Sequence, residues 1–483
     1  MLSIKEKEVL KEKVYNLLWE VGMKVENEEI VARLLKNGCK EGPSGRIRIP
    51  KEKIEEMVKY QKKTQKQDDE DQRLHYRCGV DWAHSIIWKR QKDIMRKRLE
   101  TEFMMSAFDC GPTKYYDYGE KKIKPVDTEI FIEMMKFAQS TPEIGYISTW
   151  YRHQGVHEKI ERIDSLILGL KYTDKLDGIE SIYPEQIKYL KEIGEIMGDS
   201  PENTPYLAGS QCITSPLILD RRSAAEMVER AKRGIKRYHI ASMVTIGINT
   251  PVTLAGAIVM GAAEILGGMV AAHSQDRDAD LSGRMIASVV DMKNGNVTYT
   301  GPEPAMVNIG VKELFDEFFG GHLWVEVFLS PYAKRPGLQA VYENFYGAYR
   351  YSKLTGEPDI PYPGMGTLDN GGMGSPTQFM MDMEIRKSEF ALKDKIAIDE
   401  ETLPFDEICD KVRKGEDFLE SPHTISHFRE LWSSKIFLTE NPTPGVWEGD
   451  EKSILDKCDE LWRENIKGYK PPKWADEKIK ALD

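Results

Sequence analysis

The chain has 483 residues, of which 40% are hydrophobic, and a formal net charge of −11. This composition can bury a large core, and the acidic balance argues against a chain built to bind nucleic acid. No run of about eighteen apolar residues occurs and the first residues lack an apolar signal block, so we expect neither a membrane span nor a secretory signal. Six cysteines without a Cys-x-x-Cys pair favour a reducing cytoplasm over a disulfide framework or a thiolate zinc site.

The first 126 residues predict two regions. Residues 1–63 contain apolar patterns with helical spacing, separated by short alternating segments such as 46–49, and predict an N-terminal α/β subdomain, mainly helical. The charged sequence 63–73 marks its boundary. Residues 64–126 predict an irregular connecting segment, in which 115–121 is typical of a hairpin.

From residue 127 to residue 400, helices and strands alternate. The predicted helices are 127–140, 157–171, 184–198, 221–235, 251–272, 303–319, 337–354 and 376–393, and the strands between them are 144–150, 176–181, 205–212, 238–246, 322–330 and 358–365, with a strand-rich region at 284–300. This rhythm predicts an α/β fold, a (β/α)₈ (TIM) barrel. A doubly wound sheet is the alternative, although no Gly-x-Gly-x-x-Gly opens these helices. Residues 401–483 predict a C-terminal helical cap or a surface for a partner.

The helix 251–272 is small, apolar and rich in glycine and alanine. Small side chains let a helix approach a sheet closely, so we expect this helix to lie flat on the strands around it. Asn249-Thr250 before Pro251 predicts its N-cap. Downstream, Lys293-Asn-Gly295 predicts a turn that leads into another strand.

Active residues of such barrels come from the carboxyl ends of the strands. The sequence places the following residues there: Trp150, Tyr151, His153, Gln211, Tyr299, Phe328, Tyr332 and Tyr362. Core packing would explain any one ring, but together they predict an aromatic box that binds substrate. Such a box suits a quaternary ammonium ion, which has no N–H to donate and is held by ring faces. Arg152, His153 or Gln211 would then bind a carboxylate on the same ligand. No residue receives a catalytic role.

A glycine-rich loop follows the last predicted strand. Gly371, Gly372 and Gly374 are candidate cofactor-contacting residues, because such a loop before a helix can cradle an anion or let a large partner approach. A simple tight turn explains the same glycines.

Two His-x-x-x-His pairs, His153/His157 and His423/His427, place two imidazoles one helical turn apart. Neither belongs to a His-Glu-x-x-His motif and no cysteine is adjacent, so we expect no metal in this chain. The pairs nevertheless leave a metal-dependent barrel hydrolase or lyase open as an alternative. The locally basic stretch 89–98 is a candidate subunit contact, which leaves a homo-oligomer open.

Six stretches of the sequence resemble the trimethylamine methyltransferase family, and in particular its members without pyrrolysine. They are 34–50 (LLKNGCKEGPSGRIRIP), 172–175 (YTDK), 215–217 (SPL), 250–266 (TPVTLAGAIVMGAAEIL), 291–308 (DMKNGNVTYTGPEPAMVN) and 422–429 (PHTISHFR). The stretches are spread over nearly the whole chain, and the two longest central ones are the most specific.

The resemblance implies a (β/α)₈ barrel that transfers a methyl group to the Co(I) corrinoid (cobalamin) of a separate corrinoid protein. The founding branch carries pyrrolysine and uses trimethylamine, whereas every position here is a standard residue. It therefore implies a quaternary amine such as glycine betaine, proline betaine, carnitine or γ-butyrobetaine. A non-catalytic betaine-binding protein is a further alternative, because the same aromatic box would serve binding alone.

Overall fold

The chain folds into a mixed α/β structure, seen in a computed structural model that describes residues 1–64, 105–108, 111–152, 155–176, 178–198, 206–320, 322–325, 331–356, 365–392, 396–437, 453–474 and 476–482. These residues contain fifteen α-helices. The helices are α1 (Ile4–Glu20), α2 (Glu28–Lys36), α3 (Lys51–Thr64), α4 (Thr128–Ser140), α5 (Glu158–Tyr172), α6 (Gln186–Met197), α7 (Arg221–Lys232), α8 (Leu254–Gln275), α9 (Pro302–Leu314), α10 (Leu338–Thr355), α11 (Pro376–Phe390), α12 (Phe405–Lys414), α13 (Pro422–His427), α14 (Ile454–Lys467) and α15 (Asp476–Leu482).

The same residues form nineteen short strands in six small sheets. The strands are β1 (Met23–Val25), β2 (Lys40–Glu41), β3 (Arg46–Arg48), β4 (Met105–Ala107), β5 (Lys114–Asp117), β6 (Lys122–Pro125), β7 (Ile144–Ile147), β8 (Ile179–Glu180), β9 (Leu207–Ala208), β10 (Gln211–Ile213), β11 (Ile218–Leu219), β12 (Arg237–Ser242), β13 (Thr245–Ile246), β14 (Asp280–Met285), β15 (Ser288–Val290), β16 (Val297–Thr298), β17 (His322–Val325), β18 (Thr367–Leu368) and β19 (Met373–Gly374).

The central strands are parallel and follow one another in chain order. β4 pairs with β7, and Ile147 bridges to Leu176, which leads into the paired strands β8 and β9. β10 follows β9 and begins the parallel sheet β10-β12-β14-β17. Met365 bridges in parallel to Ala107 of β4. Among the described residues no pairing joins β17 to Met365, so the strands are not seen to close into a barrel.

The predicted alternation of helices and strands is confirmed between residues 127 and 390. Eight helices, α4 to α11, stand where the sequence predicts them, each within a few residues. The predicted strand-rich region 284–300 contains the end of β14 and the antiparallel hairpin β15–β16, whose turn is closed by the Gly295 N–H donating to the Asp291 carbonyl (2.8 Å). Of the predicted strand 358–365, only Met365 is described.

Helix α8 is buried on two opposite sides, as its small residues predict. A Cβ on Gly268 would come within 2.5 Å of Ile240 on β12, and a Cβ on Gly267 would collide with Met23, just after α1. The helix therefore fits between the central sheet and the N-terminal segment only because these positions lack side chains. By length and composition α8 is also apolar enough to cross a membrane, but 72% of its most apolar stretch is buried inside the protein.

The predicted N-cap of α8 is wrong by three residues. The helix begins at Leu254, with Thr253 as its N-cap residue. Asn249 instead accepts a hydrogen bond from the backbone N–H of Thr245 (2.7 Å), and Ile246 bridges to Thr250. Asn249 and Thr250 thus close a turn after β13, because an Asn side chain can cap a turn as readily as a helix.

Replacing Gly268 with valine is expected to lower the free energy of unfolding by about 3 kcal/mol, because the new side chain must displace Ile240 and Ile213 from a close-packed layer. Urea denaturation followed by circular dichroism measures this loss. Gly119→Val in the exposed β5–β6 turn is the matched control, since its Cβ would meet only the Asp117 carboxylate at 3.5 Å. Equal losses in both variants would contradict the close helix–sheet contact.

The N-terminal segment joins the central fold through a small sheet. β1 pairs in parallel with β11, which follows β10, and antiparallel with β3. Its helices α1 and α2 bury Leu10, Leu18 and Ile30 in the same hydrophobic core as the central strands. The boundaries proposed at residues 63, 126 and 400 stay predictions.

Two further predicted features can be compared with the structure. The hairpin around 115–121 is confirmed as the antiparallel pair β5–β6. At the C-terminal end, α14 packs into the core, where the fully buried Trp462 ring lies 6.0 Å from Phe137 of α4.

Candidate functional site

The carboxyl ends of neighbouring parallel strands gather a group of charged and aromatic side chains. Tyr151 follows β7, Glu180 ends β8, and Cys212 lies in β10. Arg162 lies in the second turn of α5, and Arg222 in the first turn of α7. We call these five residues the rim cluster. Each helix that follows a strand begins at the same end of the sheet, which explains why both arginines reach it.

The guanidinium of Arg162 is the most unusual group of the rim cluster. Its central carbon lies 3.1 Å from the ring centroid of Tyr151, so the guanidinium stacks on the ring face. Its Nη1 atom is buried and has no hydrogen-bond partner. Burial lowers the pKa of Arg162 to about 10, with Glu180 acting to raise it and Arg222 to lower it further. The group still carries its charge at neutral pH and leaves a buried donor for an anionic acceptor.

Glu180 and Arg222 form an ion pair at this end of the sheet. Nη1 of Arg222 donates to Oε1 of Glu180 at 2.9 Å, and both side chains are about one-third exposed. A Cβ on Gly209 (φ +86°) would come within 2.6 Å of Cγ of Glu180, so this glycine makes room for the carboxylate. The five residues of the cluster hold one carboxylate and two guanidinium groups, and Oε2 of the neighbouring Glu161 lies 3.7 Å from Nε of Arg162.

Cys212 carries a neutral thiol. Desolvation raises its pKa to about 12, with Glu180 adding to the rise, so the thiolate is not populated at neutral pH. A thiolate nucleophile or metal ligand at this position is therefore disfavoured. The described residues contain no group of three His, Cys, Asp or Glu side chains that could hold a metal ion.

Of the predicted aromatic residues, Trp150 is fully buried. Its ring packs edge-on against Phe108 at a centroid distance of 5.0 Å, and it occupies the space where a side chain on Gly374 would stand. Phe108 in turn contacts Phe137 and Phe379, which belong to the outer helices. The indole Nε1 has no hydrogen-bond partner. Packing accounts for this ring, and its contact with substrate stays a prediction.

Tyr151 lies in the rim cluster, but one face of its ring is taken by Arg162. A side chain on Gly111 would collide with its ring edge. Tyr151 therefore orients a guanidinium, and any ammonium ion it contacts must use the remaining ring surface.

The amide of Gln211 points into the layer between the strands and α7. Its Nε2 donates to Glu226 (2.9 Å), and its Oε1 accepts from the backbone N–H of His239 (3.0 Å). Gln211 and Ile213 share one face of β10, and Cys212 alone faces the other way. A substrate that binds Gln211 would have to replace both of these hydrogen bonds. The predicted contact of Gln211 with substrate therefore stays a prediction that this geometry does not favour.

Arg152, which the sequence predicts as a possible partner of a substrate carboxylate, already donates its side-chain N–H groups to other residues. Its Nε donates to Ser165 (3.2 Å), its Nη1 to Thr128 (3.2 Å), and its Nη2 pairs with Asp164. These bonds tie the end of β7 to α4 and α5. Arg162, ten positions along the chain, is the better candidate, since it retains a donor.

Tyr332 and the glycine loop lie together. The backbone N–H of Asp369 donates to the Ala333 carbonyl (2.9 Å), and that of Asn370 donates to the Pro331 carbonyl (3.0 Å). Lys334, which pairs with Asp369, stands 4.4 Å above the Tyr332 ring. The predicted substrate residue and the predicted cofactor loop therefore meet at one place.

Each of the three loop glycines plays a different part in the local structure. Gly371 has a φ of +93°, which favours glycine, and the Gly372 carbonyl accepts bonds from the N–H groups of Thr113 and Lys114 (3.2 and 3.1 Å). Gly374 makes room for the Trp150 ring. A tight turn explains these features, and contact with a cofactor stays a prediction.

The structure gives less information about the remaining residues that the sequence predicts. Tyr299 is half-buried just after β16, on the hairpin that extends β14. His153, Phe328 and Tyr362 lie outside the described residues. In the second histidine pair the rings of His423 and His427 are 4.3 Å apart, and Nδ1 of His427 lies 2.8 Å from Glu430.

A buried carboxylate that the sequence reading missed joins two strand ends. Glu264 of α8 accepts hydrogen bonds from the Leu217 backbone N–H (3.0 Å), the Ser215 hydroxyl (2.8 Å) and the Ser242 hydroxyl (2.6 Å). Ser242 ends β12, and Ser215 follows β10. A charged residue inside an otherwise apolar helix was the available signal, because buried carboxylates need hydrogen-bond partners.

The sequence also did not predict Arg162, Glu180 and Arg222 as residues of the candidate site. Glu180 stands at the end of a correctly predicted strand, so its position was available as a signal. The two arginines lie in helices with many charged residues. The local sequence pattern does not predict which of those charged side chains points toward the strand ends.

Comparison with known proteins gives consistent matches. The family described as trimethylamine methyltransferase (MTTB) matches residues 91–483. The trimethylamine methyltransferase MttB of Desulfitobacterium hafniense (strain DSM 10664 / DCB-2) is 28% identical over 251 residues, 52% of this chain and 49% of the relative. The glycine betaine methyltransferase of Desulfitobacterium hafniense (strain Y51) is 25% identical over 360 residues, 74% of this chain and 73% of the relative. The MttB of Methanosarcina barkeri is 28% identical over 346 residues, 69% and 68% of the two chains.

The alignment to the first of these relatives spans about half of its length, and the other two span about seven-tenths. The family match is broader and includes the whole run from β4 to α15. It contains the stretches 250–266 and 291–308, which form the first part of α8, the turn and second strand of the β15–β16 hairpin, and the start of α9. The chain belongs to the trimethylamine methyltransferase (MTTB) family.

Proposed function

We propose that the chain moves a methyl group from a quaternary amine, glycine betaine or a related betaine, to the corrinoid of a partner corrinoid protein, which leaves the tertiary amine. Family membership supports the reaction class, and one of the relatives is named a glycine betaine methyltransferase. The observation that carries the substrate class is the stacked guanidinium of Arg162, whose buried Nη1 has no partner.

The proposed architecture is a (β/α)₈ barrel with its mouth at the rim cluster. The parallel order β4, β7, β8 and then β10 to β17 supports it, and so does the parallel bridge from Met365 back to β4. The helices α4 to α11 alternate with these strands, as such a barrel requires. We propose the N-terminal segment and residues 401–483 as additions to the outside of the barrel.

A betaine presents two charges of opposite sign to the mouth. Its carboxylate would accept hydrogen bonds from Arg162, which satisfies a buried donor and is stronger than a bond between neutral groups. Its trimethylammonium group has no N–H and would lie against aromatic faces, for which Tyr299, Tyr332 and the free surface of Tyr151 are candidates. An amine without a carboxylate leaves the buried Nη1 of Arg162 without a partner, and this favours betaines over trimethylamine.

The chemistry demands positioning more than proton transfer. A quaternary nitrogen leaves as a neutral amine when it loses a methyl group, so nitrogen needs no general acid. The corrinoid on the partner protein supplies the cobalt nucleophile that receives the methyl group. This chain would fix the carboxylate at Arg162 and so aim one N–CH₃ bond out of the mouth. Excluding water there would favour the loss of charge at nitrogen.

A methyl-transfer assay tests the proposal directly. The protein is mixed with its corrinoid protein in the reduced state and with glycine betaine, proline betaine, carnitine, γ-butyrobetaine or trimethylamine. We expect a methylcobalamin absorbance spectrum with at least one betaine and a rate for trimethylamine about a hundredfold lower. Saturable betaine binding without a demethylated product would support a binding protein instead and would contradict the proposal.

The proposal includes a reducing, cytoplasmic location. Among the described residues Cys39, Cys212, Cys409 and Cys458 are free thiols, which supports a location where disulfides are not required.

A further inference from the structure

An apolar surface that the methyl-transfer reaction does not use lies in residues 396–432, which we call the arm. Eleven large hydrophobic side chains between Ile396 and Trp432 are exposed. The two helices of the arm, α12 and α13, contain no buried residue. Isolated apolar side chains are normal on a protein surface, but this density over a short segment marks an interaction site.

Helix α12 has the pattern of a helix that packs on a partner. Phe405, Ile408, Cys409 and Val412 recur at helical spacing and form one apolar stripe, and Phe405 and Val412 are 64% and 67% exposed. A helix of ten residues gains little stability from its own hydrogen bonds in water. Covering this stripe would therefore stabilise the helix as well as bury apolar surface.

The residues that flank the arm on both sides are held near the amino ends of the central strands. Lys387, near the end of α11, pairs with Glu143, which directly precedes β7. Glu384 accepts hydrogen bonds from the Ser434 hydroxyl (2.5 Å) and the Lys435 backbone N–H (2.8 Å). The rim cluster lies at the opposite, carboxyl ends of the same strands. The arm is therefore attached on the side of the protein remote from the candidate site.

We propose that the arm binds the arm of a second copy of this chain and forms a two-fold symmetric dimer. In the proposed reaction a corrinoid protein must reach the candidate site, at the other end of the strands from the point where the arm is attached, so a second copy is the occupant that fits the arm better. Together, the exposed apolar residues of one arm offer on the order of 1,000 Å², which is enough for half of a stable interface.

The charges of α12 are complementary to those of a second copy. Asp406 and Glu407 lie in its first turn, and Lys411, Arg413 and Lys414 lie in its last turn. Two copies related by a two-fold axis across the helix run antiparallel, so the acidic half of each faces the basic half of the other. The same patch then serves both subunits and pairs opposite charges around the apolar stripe.

Analytical ultracentrifugation of the full-length protein from 1 to about 50 μM tests the proposal. We expect the wild type to sediment with the mass of two chains, and Val412→Glu to sediment as a monomer with a dissociation constant raised at least a hundredfold. Val252→Glu is the matched control, because Val252 is also 67% exposed but lies before α8. It should keep the wild-type mass. Circular dichroism establishes that each variant is folded.

Charge reversal gives a second, independent measurement. Asp406 and Arg413 lie on the same flank of the apolar stripe of α12. Arg413→Glu should therefore weaken the dimer at low salt, and the double variant Asp406→Lys with Arg413→Glu should restore it, because the antiparallel pairing is then reversed on both sides. A monomeric wild type would overturn the proposal, as would a folded Val412→Glu protein with the wild-type mass. Loss of methyl transfer to the corrinoid protein in Val412→Glu without a change of mass would assign the arm to that partner and overturn the proposal as well.

Discussion

Replacing Arg162 with glutamine is expected to lower kcat/KM for glycine betaine by about a hundredfold to a thousandfold. The neutral side chain cannot neutralise the substrate carboxylate, and loss of one partner from a buried charged contact costs about 2–5 kcal/mol. Choline has the same trimethylammonium group without a carboxylate, so any activity toward it should change little. Steady-state methyl transfer with the two amines measures the ratio of kcat/KM for glycine betaine to kcat/KM for choline. Arg162→Lys should lie between the wild type and Arg162→Gln, because lysine keeps the charge but not the planar stacking on Tyr151.

The matched control for this prediction is Arg152→Gln. Arg152 lies close by in the chain but is bonded to Ser165, Thr128 and Asp164. Its loss should reduce the free energy of unfolding and leave the betaine-to-choline ratio unchanged. Equal losses toward both amines in Arg162→Gln would mean that Arg162 supports Tyr151 and the fold, and does not bind the substrate carboxylate.

Replacing Glu264 with alanine is expected to lower the free energy of unfolding by about 4 kcal/mol. The change removes a fully buried acceptor of three hydrogen bonds, from the buried Leu217 and Ser242 and the half-buried Ser215. An unpaired buried donor costs about 1–3 kcal/mol, and the two hydroxyls can recover part of this by turning. Urea denaturation measures the loss. Because the carboxylate joins the ends of two neighbouring strands, activity should fall as well.

Glu264→Gln is the matched control, since its amide oxygen can still accept from Leu217 and its nitrogen can donate to the serines. Burial raises the pKa of Glu264 above its ordinary value of 4.5, although its three donors act to lower it. The folded protein therefore holds this proton more tightly than the unfolded chain. The wild type should lose stability relative to Glu264→Gln as pH rises from about 4.5 through the raised pKa. A difference between the two proteins that does not change with pH would contradict the raised pKa.

Much of the secondary structure could be predicted because its signals are local. The order of the helices α4 to α11 follows from apolar spacing, and the β5–β6 and β15–β16 hairpins follow from turn residues. The burial of α8 on two sides followed from its glycines and alanines, which contact Ile240 and Met23. The beginning of α8 was misplaced because Asn249 caps a turn, and the sequence does not distinguish the two uses.

The candidate site was only partly predictable. The sequence indicated the carboxyl ends of the strands and named Tyr151, which lies in the rim cluster. It also named Gln211, whose amide faces α7 because successive residues of a strand point to opposite sides. Trp150 and Tyr151 are adjacent in the segment after β7, yet one ring packs in the aromatic core and the other lies against Arg162.

The sequence by itself determined the family, the alternation of helices and strands, the turns, and the close contact of α8 with its neighbours, because each depends on residue types at short spacing. Only the tertiary structure decided that Arg162 reaches the strand ends, that Glu264 joins two of them, and that the arm leaves the opposite end. Strand register and the rotation of each helix about its axis set these directions, and both depend on packing between residues far apart in the chain.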